Sequence, residues 1–142
     1  YGWDGVAAEL RDYPINFILL QNFSDALNFY TPVLITGERL ISEEPELVAA
    51  FVQATSRGYR YAIENPEEAA DLLLQEVPEL EREMVVASQR YLADQYQADA
   101  SRWGEMKLEV WENYANWMFE QNLLDKPLDA TAAFTNDFLP NH

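Results

Sequence analysis

The chain has 142 residues, 49% of them hydrophobic and 13% aromatic, enough for one ordinary domain with an apolar core. With 25 acidic against 9 basic residues, the net charge of -16 repels a phosphate backbone, and no basic stripe reverses it locally, which argues against a nucleic-acid partner. No apolar run approaches the roughly 20 residues that span a bilayer, and the absence of cysteine removes disulfides, thiolate nucleophiles and cysteine-type zinc sites together.

Taken in order, Trp3 to Arg11 reads as a short helix with Val6, Ala7 and Leu10 on one side, an acid near its start and Asp12-Tyr13-Pro14 as its stop. Ile15 to Leu20 is a continuous apolar run that predicts a strand buried on both faces. Pro32 to Thr36 predicts a second strand, closed by Gly37. Residues 22–30 form a polar and aromatic connection between them. From Ser42 onward the pattern turns helical, and Pro45, Pro66 and Pro78 each stand where a first helical turn tolerates proline.

Behind Pro45, the stripe Leu47, Phe51, Ala54, Gly58 and Tyr61 keeps a three-four spacing, widened by Val48, Val52, Tyr59 and Ile63, and predicts a largely buried helix. Asn65 and Glu68 have the spacing of a capping box for the next helix, with Ala69, Leu72 and Leu73 inside. Leu80, Met84, Ala87 and Tyr91 predict the inner face of a third. A last long helix over about 105–124 carries Leu108, Trp111, Ala115 and Met118 inward, and the tail adds a short helix between Ala130 and Phe138. The seven acids between Glu67 and Glu83, opposed only by Arg82, fall mostly between apolar positions and read as a solvated face. None of them has the alternating spacing of a calcium loop.

Two strands beside about six helices make a lopsided inventory. A pair of strands is not a stable sheet, and a strand buried on both faces needs parallel neighbours, so the remaining strands are expected from outside this sequence. Starting at Tyr1 without a methionine, the chain is expected to be a processed or engineered piece of something longer.

Catalytic chemistry finds no support. The one histidine is His142, the five glycines fit no phosphate loop, and the two lysines, Lys107 and Lys126, lie in polar surroundings. No catalytic residue, metal site or cofactor is therefore expected. What remains is binding. Tyr1-Gly2-Trp3-Asp4-Gly5 places two aromatic faces beside a carboxylate, a combination suited to stacking on an amino-bearing ring while accepting its hydrogen bonds. Aromatics at a helix start also serve as ordinary core or rim packing.

Tyr1 to Gly5, Phe29 to Thr36, Glu44 to Val48, Gly58 to Ala70, Ser88 to Leu92 and Phe134 to Pro140 resemble, in that order, the C-terminal half of the NMT1/THI5-like family. That family includes solute-binding proteins of bacterial ABC importers for thiamine-pyrimidine precursors. The resemblance implies an α/β, type II periplasmic-binding fold, of which this chain would be the predominantly helical C-terminal part with two or so strands. Residues 1–21 would end the second lobe, 22–31 would cross at the hinge, and 32–142 would return to the first lobe as its helical coat.

Carried over in the same way, Tyr1, Trp3, Asp4, Asn28 and Tyr30 are the expected ligand-binding residues. Asp4 stands where the family pattern carries a glutamate. The implied function is capture of a thiamine-precursor aminopyrimidine or similar small heterocycle outside the cell, in the periplasm or on a lipid anchor, for delivery to a membrane permease. The alternatives are half of a thiamine-pathway pyrimidine synthase, a binding protein for a sulfonate or nitrate-like ligand, and a helical interaction module with no ligand. Unpaired strand edges are further expected to make the chain self-associate.

Overall fold

A computed structural model describes residues 1–140, so His142 lies outside the described residues. Among them the chain forms six α-helices and three short 3-10 turns, with no β-strand. The helices are α1 (Asp4–Leu10), α2 (Glu38–Glu43), α3 (Pro45–Glu64), α4 (Pro66–Glu76), α5 (Arg82–Ala93) and α6 (Leu108–Glu120).

The two predicted strands are corrected. Residues 13–19 run without regular structure into a 3-10 turn at Leu20–Asn22, and residues 31–36 are likewise irregular. A strand exists only by exchanging backbone hydrogen bonds with a neighbour. Neither segment has one among the described residues, and their side chains stay exposed, Ile18 at 65% and Ile35 at 89%.

Helix boundaries follow from a few residues. Asp12 takes a positive φ of 49° behind α1, while its N–H reaches the Glu9 carbonyl and that of Tyr13 the Ala8 carbonyl, at 3.1 and 2.8 Å. Asn122 does the same behind α6 with φ 58°, its N–H on Phe119 and that of Leu123 on Met118. Both are Schellman stops, which satisfy the last open carbonyls of a helix.

Glu44, Asn65 and Val77 share nearly one backbone conformation, φ between -131 and -135° and ψ between 55 and 66°. Each precedes a proline, whose ring drives the preceding residue out of the helical region. Pro45 and Pro66 then open α3 and α4 as predicted. Pro78 does not open α5: it lies in a turn closed by Leu80 N–H on the Val77 carbonyl at 3.3 Å, and α5 begins only at Arg82. The capping box is also replaced. Asn65 ends α3 as well as starting α4, and its amide donates to the Tyr61 carbonyl at 3.2 Å, leaving Glu68 to accept the Tyr61 hydroxyl at 2.5 Å.

The chain divides into two units. One comprises residues 1–17 and 51–104, with its core where α4 packs on α5, around Ala70, Val85 and Val86 with Leu74 and Leu80 against them. Ala70 is 1% exposed, whereas Leu72 and Leu73 face outward, which turns the predicted inner face of α4 by about a third of a helical turn. Met84, Val85, Val86, Ser88 and Ala93 form the buried side of α5. The acidic run is solvated and paired: Arg82 forks onto Asp71 at 2.8 and 3.0 Å, and Arg90 reaches Glu67.

The other unit comprises residues 18–50 and those from 105 onward. Here α6 packs against the 3-10 turns Asp25–Leu27 and Ala130–Ala132, burying Ala115 and Ala130. Of the predicted inward stripe of α6, Ala115 is buried and Trp111 and Met118 are half-buried, whereas Leu108 is exposed; the helix is shorter than the predicted 105–124 and the tail helix reduces to the second of these turns.

Candidate functional site

Within the first unit, Tyr1 answers to the glycine spacing of the opening segment. Its ring meets Phe17 edge-on at 4.6 Å and Tyr91 at 5.0 Å, and its hydroxyl donates to Glu9. That hydrogen bond raises the phenol's pKa. A Cβ on Gly5 would stand 2.5 Å from Tyr1 Cδ2, so the ring can lie there only over glycine. Gly2 gives its carbonyl to the buried Ser88 hydroxyl, tying the chain start to α5.

Trp3 and Asp4 are brought together with Tyr1 at the start of α1. Trp3 is 45% exposed and Asp4 is exposed in the first turn, where a carboxylate suits the helix dipole. Neither side chain makes a hydrogen bond among the described residues, and both are exposed at the start of α1. Tyr1 itself is half-buried and spent on packing.

Asn28 and Tyr30 lie in the second unit. Asn28 is exposed and its side chain makes no hydrogen bond among the described residues. Tyr30 is half-buried: its hydroxyl accepts the Lys107 backbone N–H at 2.9 Å and its ring stands 6.5 Å from Trp111. Around it runs an aromatic series that the sequence reading did not assemble. Phe29 stacks on Tyr114 at 4.4 Å, Tyr114 faces Trp117 at 6.1 Å, and Trp111 lies parallel to Phe134 at 5.6 Å. Asn136 holds the strand-like entry to α6 from both sides, donating to the Met106 carbonyl at 2.8 Å and accepting its N–H at 3.0 Å. The Trp111 indole nitrogen is buried without a hydrogen-bond partner among the described residues.

A third aromatic group, also unforeseen, belongs to the first unit. Tyr59 stacks on Trp103 at 4.6 Å and meets Tyr96 edge-on at 4.9 Å. The Tyr96 hydroxyl donates to Gln89 at 3.0 Å, and Gln89 in turn donates to the Ala62 carbonyl at 3.1 Å. Burial is the main reason the Tyr96 pKa is raised. Thr55, Gly58, Tyr59, Ala62 and Tyr96 line an open cavity of about 380 Å³. The signal available was Tyr59, whose side was marked only as widening the stripe of α3. No cluster of acids or histidine that could hold a metal occurs among the described residues, and no described helix is long and apolar enough to cross a membrane.

Residues 1–69 match the family model described as NMT1/THI5 like. By that match residues 1–69 belong to that family. It is 33% identical over 124 residues to the riboflavin-binding protein RibY of Chloroflexus aurantiacus, a match covering 82% of this chain and 35% of that protein. It is 32% identical over 108 residues to the formylaminopyrimidine-binding protein of Halalkalibacterium halodurans, covering 73% and 33%. A third match, 30% over 106 residues, is the 4-amino-5-hydroxymethyl-2-methylpyrimidine phosphate synthase of Legionella pneumophila, covering 70% and 30%. The chain spans about a third of the length of the curated relatives it matches.

Proposed function

We propose that this chain is part of a solute-binding protein that captures a small nitrogen heterocycle of the aminopyrimidine kind and hands it to the permease of an ABC importer outside the cytoplasmic membrane. One observation carries the reading: the exposed Trp3 indole and the exposed Asp4 carboxylate are consecutive residues at the start of α1, in a chain whose matched relatives include proteins named for binding formylaminopyrimidine and riboflavin. An indole face stacks on a flat ring, worth about 1 to 3 kcal/mol on the scale of bases on aromatic platforms. A carboxylate accepts amino hydrogens, worth about 1.5 to 3 kcal/mol when charge-assisted. Asn28 and Tyr30 are the further ligand contacts of this reading, and residues 22–31 its hinge. Titration calorimetry of the full-length protein with formylaminopyrimidine, other aminopyrimidines and riboflavin tests it. Saturable heat with one of them is expected; silence with all three and heat with a sulfonate would reassign the ligand class.

The Legionella relative favours one second reading, a pyrimidine synthase. The full-length protein would then release a pyrimidine phosphate on turnover, which product analysis distinguishes from reversible binding.

A further inference from the structure

The Tyr30 side chain is held by a backbone group 77 residues away in sequence. Its hydroxyl accepts the Lys107 N–H at 2.9 Å, and Lys107 is the extended residue in front of α6, at φ -101° and ψ 134°, with no side chain capping the helix there. The carbonyl of the same peptide group is that of Met106. It accepts a hydrogen from the Asn136 side-chain amide at 2.8 Å, while the Met106 N–H donates to the Asn136 side-chain oxygen at 3.0 Å. In a planar trans peptide the C=O and the N–H point in opposite directions. Asn136 and Tyr30 therefore grip one peptide plane from its two ends, and the rotation of that plane decides where the Lys107 N–H is aimed.

All four residues belong to the second unit. Asn136 is brought to Met106 by its neighbour Phe134, which lies parallel to Trp111 in the first turn of α6, and by a turn in which the Leu139 N–H reaches the Asn136 backbone carbonyl at 3.2 Å. A phenol accepts and donates at once. With the Lys107 N–H on its oxygen, the Tyr30 hydroxyl still has its own hydrogen, which finds no acceptor among the described residues. The hydrogen bonds run in one direction, from the Asn136 amide through the peptide to the phenol, and such a series strengthens the last donor in it.

We propose that Asn136 is a positioning residue for ligand recognition: by fixing the Met106–Lys107 peptide plane it keeps the Lys107 N–H on the Tyr30 hydroxyl, and so reserves that hydroxyl's hydrogen for an acceptor on the bound heterocycle, a ring nitrogen or a carbonyl oxygen. The inference rests on the ligand reading above, in which Tyr30 is a contact.

Two measurements on the full-length protein test it. Hydrogen exchange at the Lys107 amide, without ligand, reads the peptide plane itself: Asn136→Ala and Tyr30→Phe are each expected to speed it by about 3- to 10-fold, with the amides of Ala115 and Met118 unchanged. Titration calorimetry with formylaminopyrimidine reads the consequence. Tyr30→Phe is expected to weaken binding by about 3- to 10-fold, the loss of one hydrogen bond. Asn136→Ala should weaken it by no more than that, and the double variant by no more than Tyr30→Phe alone, because both act through one hydroxyl. Asn136→Asp keeps the acceptor for the Met106 N–H and loses only the donor to its carbonyl, so it repeats both measurements if Asn136→Ala does not fold. An equal loss of affinity from Asn136→Ala with and without the Tyr30 hydroxyl would make Asn136 a general structural residue and overturn the proposal, as would an unchanged Lys107 exchange rate. Unchanged affinity in Asn136→Ala beside a weakened Tyr30→Phe overturns it and leaves the ligand reading standing. No heat from the parent protein with any heterocycle removes the ligand reading, and the proposal with it.

Discussion

The Tyr1 ring lies directly over Gly5, with Phe17 and Tyr91 against its other sides. Because three neighbours hold the ring, it cannot swing aside for a methyl group. Gly5→Ala is expected to destabilise the first unit by about 1 to 3 kcal/mol, the usual cost of overpacking, measured as a lowered midpoint in urea with an unchanged slope. Tyr1→Ala in the same background should recover part of the loss, which a merely helical effect of residue 5 would not allow.

Ser88 fastens the same region from the other side. It is buried on α5 and donates to the Gly2 carbonyl. Ser88→Ala leaves that carbonyl without its donor, at an expected cost of about 1 kcal/mol. Hydrogen exchange should show the amides of α1 opening earlier, while those of Ala70 and Val86 keep their protection.

How much of this could be read beforehand depends on whether the cause was local. The stop at Asp12 and the starts at Pro45 and Pro66 rest on one or two residues and their immediate backbone, and these agree with the structure. Pro78 shows the limit of the rule, since proline reliably ends what precedes it but does not oblige a helix to follow at once. The helix α2 has no signal in the sequence reading, which ends a strand at Gly37, whereas the Gly37 carbonyl accepts the N–H of Leu40 and of Ile41. Strands at 15–20 and 32–36 depend on distant partners, and the stripe of α3 expected to be buried is exposed at Leu47, Phe51 and Tyr61. For the candidate site, Trp3 and Asp4 were visible as neighbours in sequence, while the Tyr59, Tyr96 and Trp103 group needed the fold to assemble it.

Asp129 caps the 3-10 turn at Ala130–Ala132 by accepting both the N–H of Thr131 at 3.0 Å and its hydroxyl at 2.6 Å. These hydrogen bonds lower its pKa below the ordinary 3.8. A carboxyl that is more acidic folded than unfolded contributes fully above the unfolded value, and that contribution is lost as pH falls through the folded one. Asp129→Asn should therefore differ from the parent at neutral pH and converge with it in the acid range. Carbon-detected NMR titration of the carboxyl checks the direction independently.

Self-association of the isolated chain should depend on salt. Ile15 to Leu20 and Val33 to Ile35 leave apolar, unladdered backbone exposed, which favours pairing with other chains. The net charge of -16 opposes it, and the opposition shrinks as the screening length falls from about 10 Å at 0.1 M salt to about 3 Å at 1 M. Light scattering at high protein concentration is expected to show mass rising with ionic strength. A monomer throughout would mean that these segments do not seek partners.

The ligand reading makes its own demand on Trp3 and Asp4. Neither packs into the core or makes a side-chain hydrogen bond among the described residues, so changing them should leave stability within about 0.5 kcal/mol of the parent. In the full-length protein, Trp3→Ala is expected to weaken binding of the aminopyrimidine by about 5- to 150-fold, the loss of one stacking face, while Trp3→Phe keeps a flat ring and most of the affinity. Asp4→Asn removes the charge but not the acceptor, so its loss should be smaller for a neutral ring and larger for a protonated one. Calorimetry at two pH values on either side of the ligand's own pKa separates these cases. Unchanged affinity in both Trp3→Ala and Asp4→Asn would remove the start of α1 from the binding site.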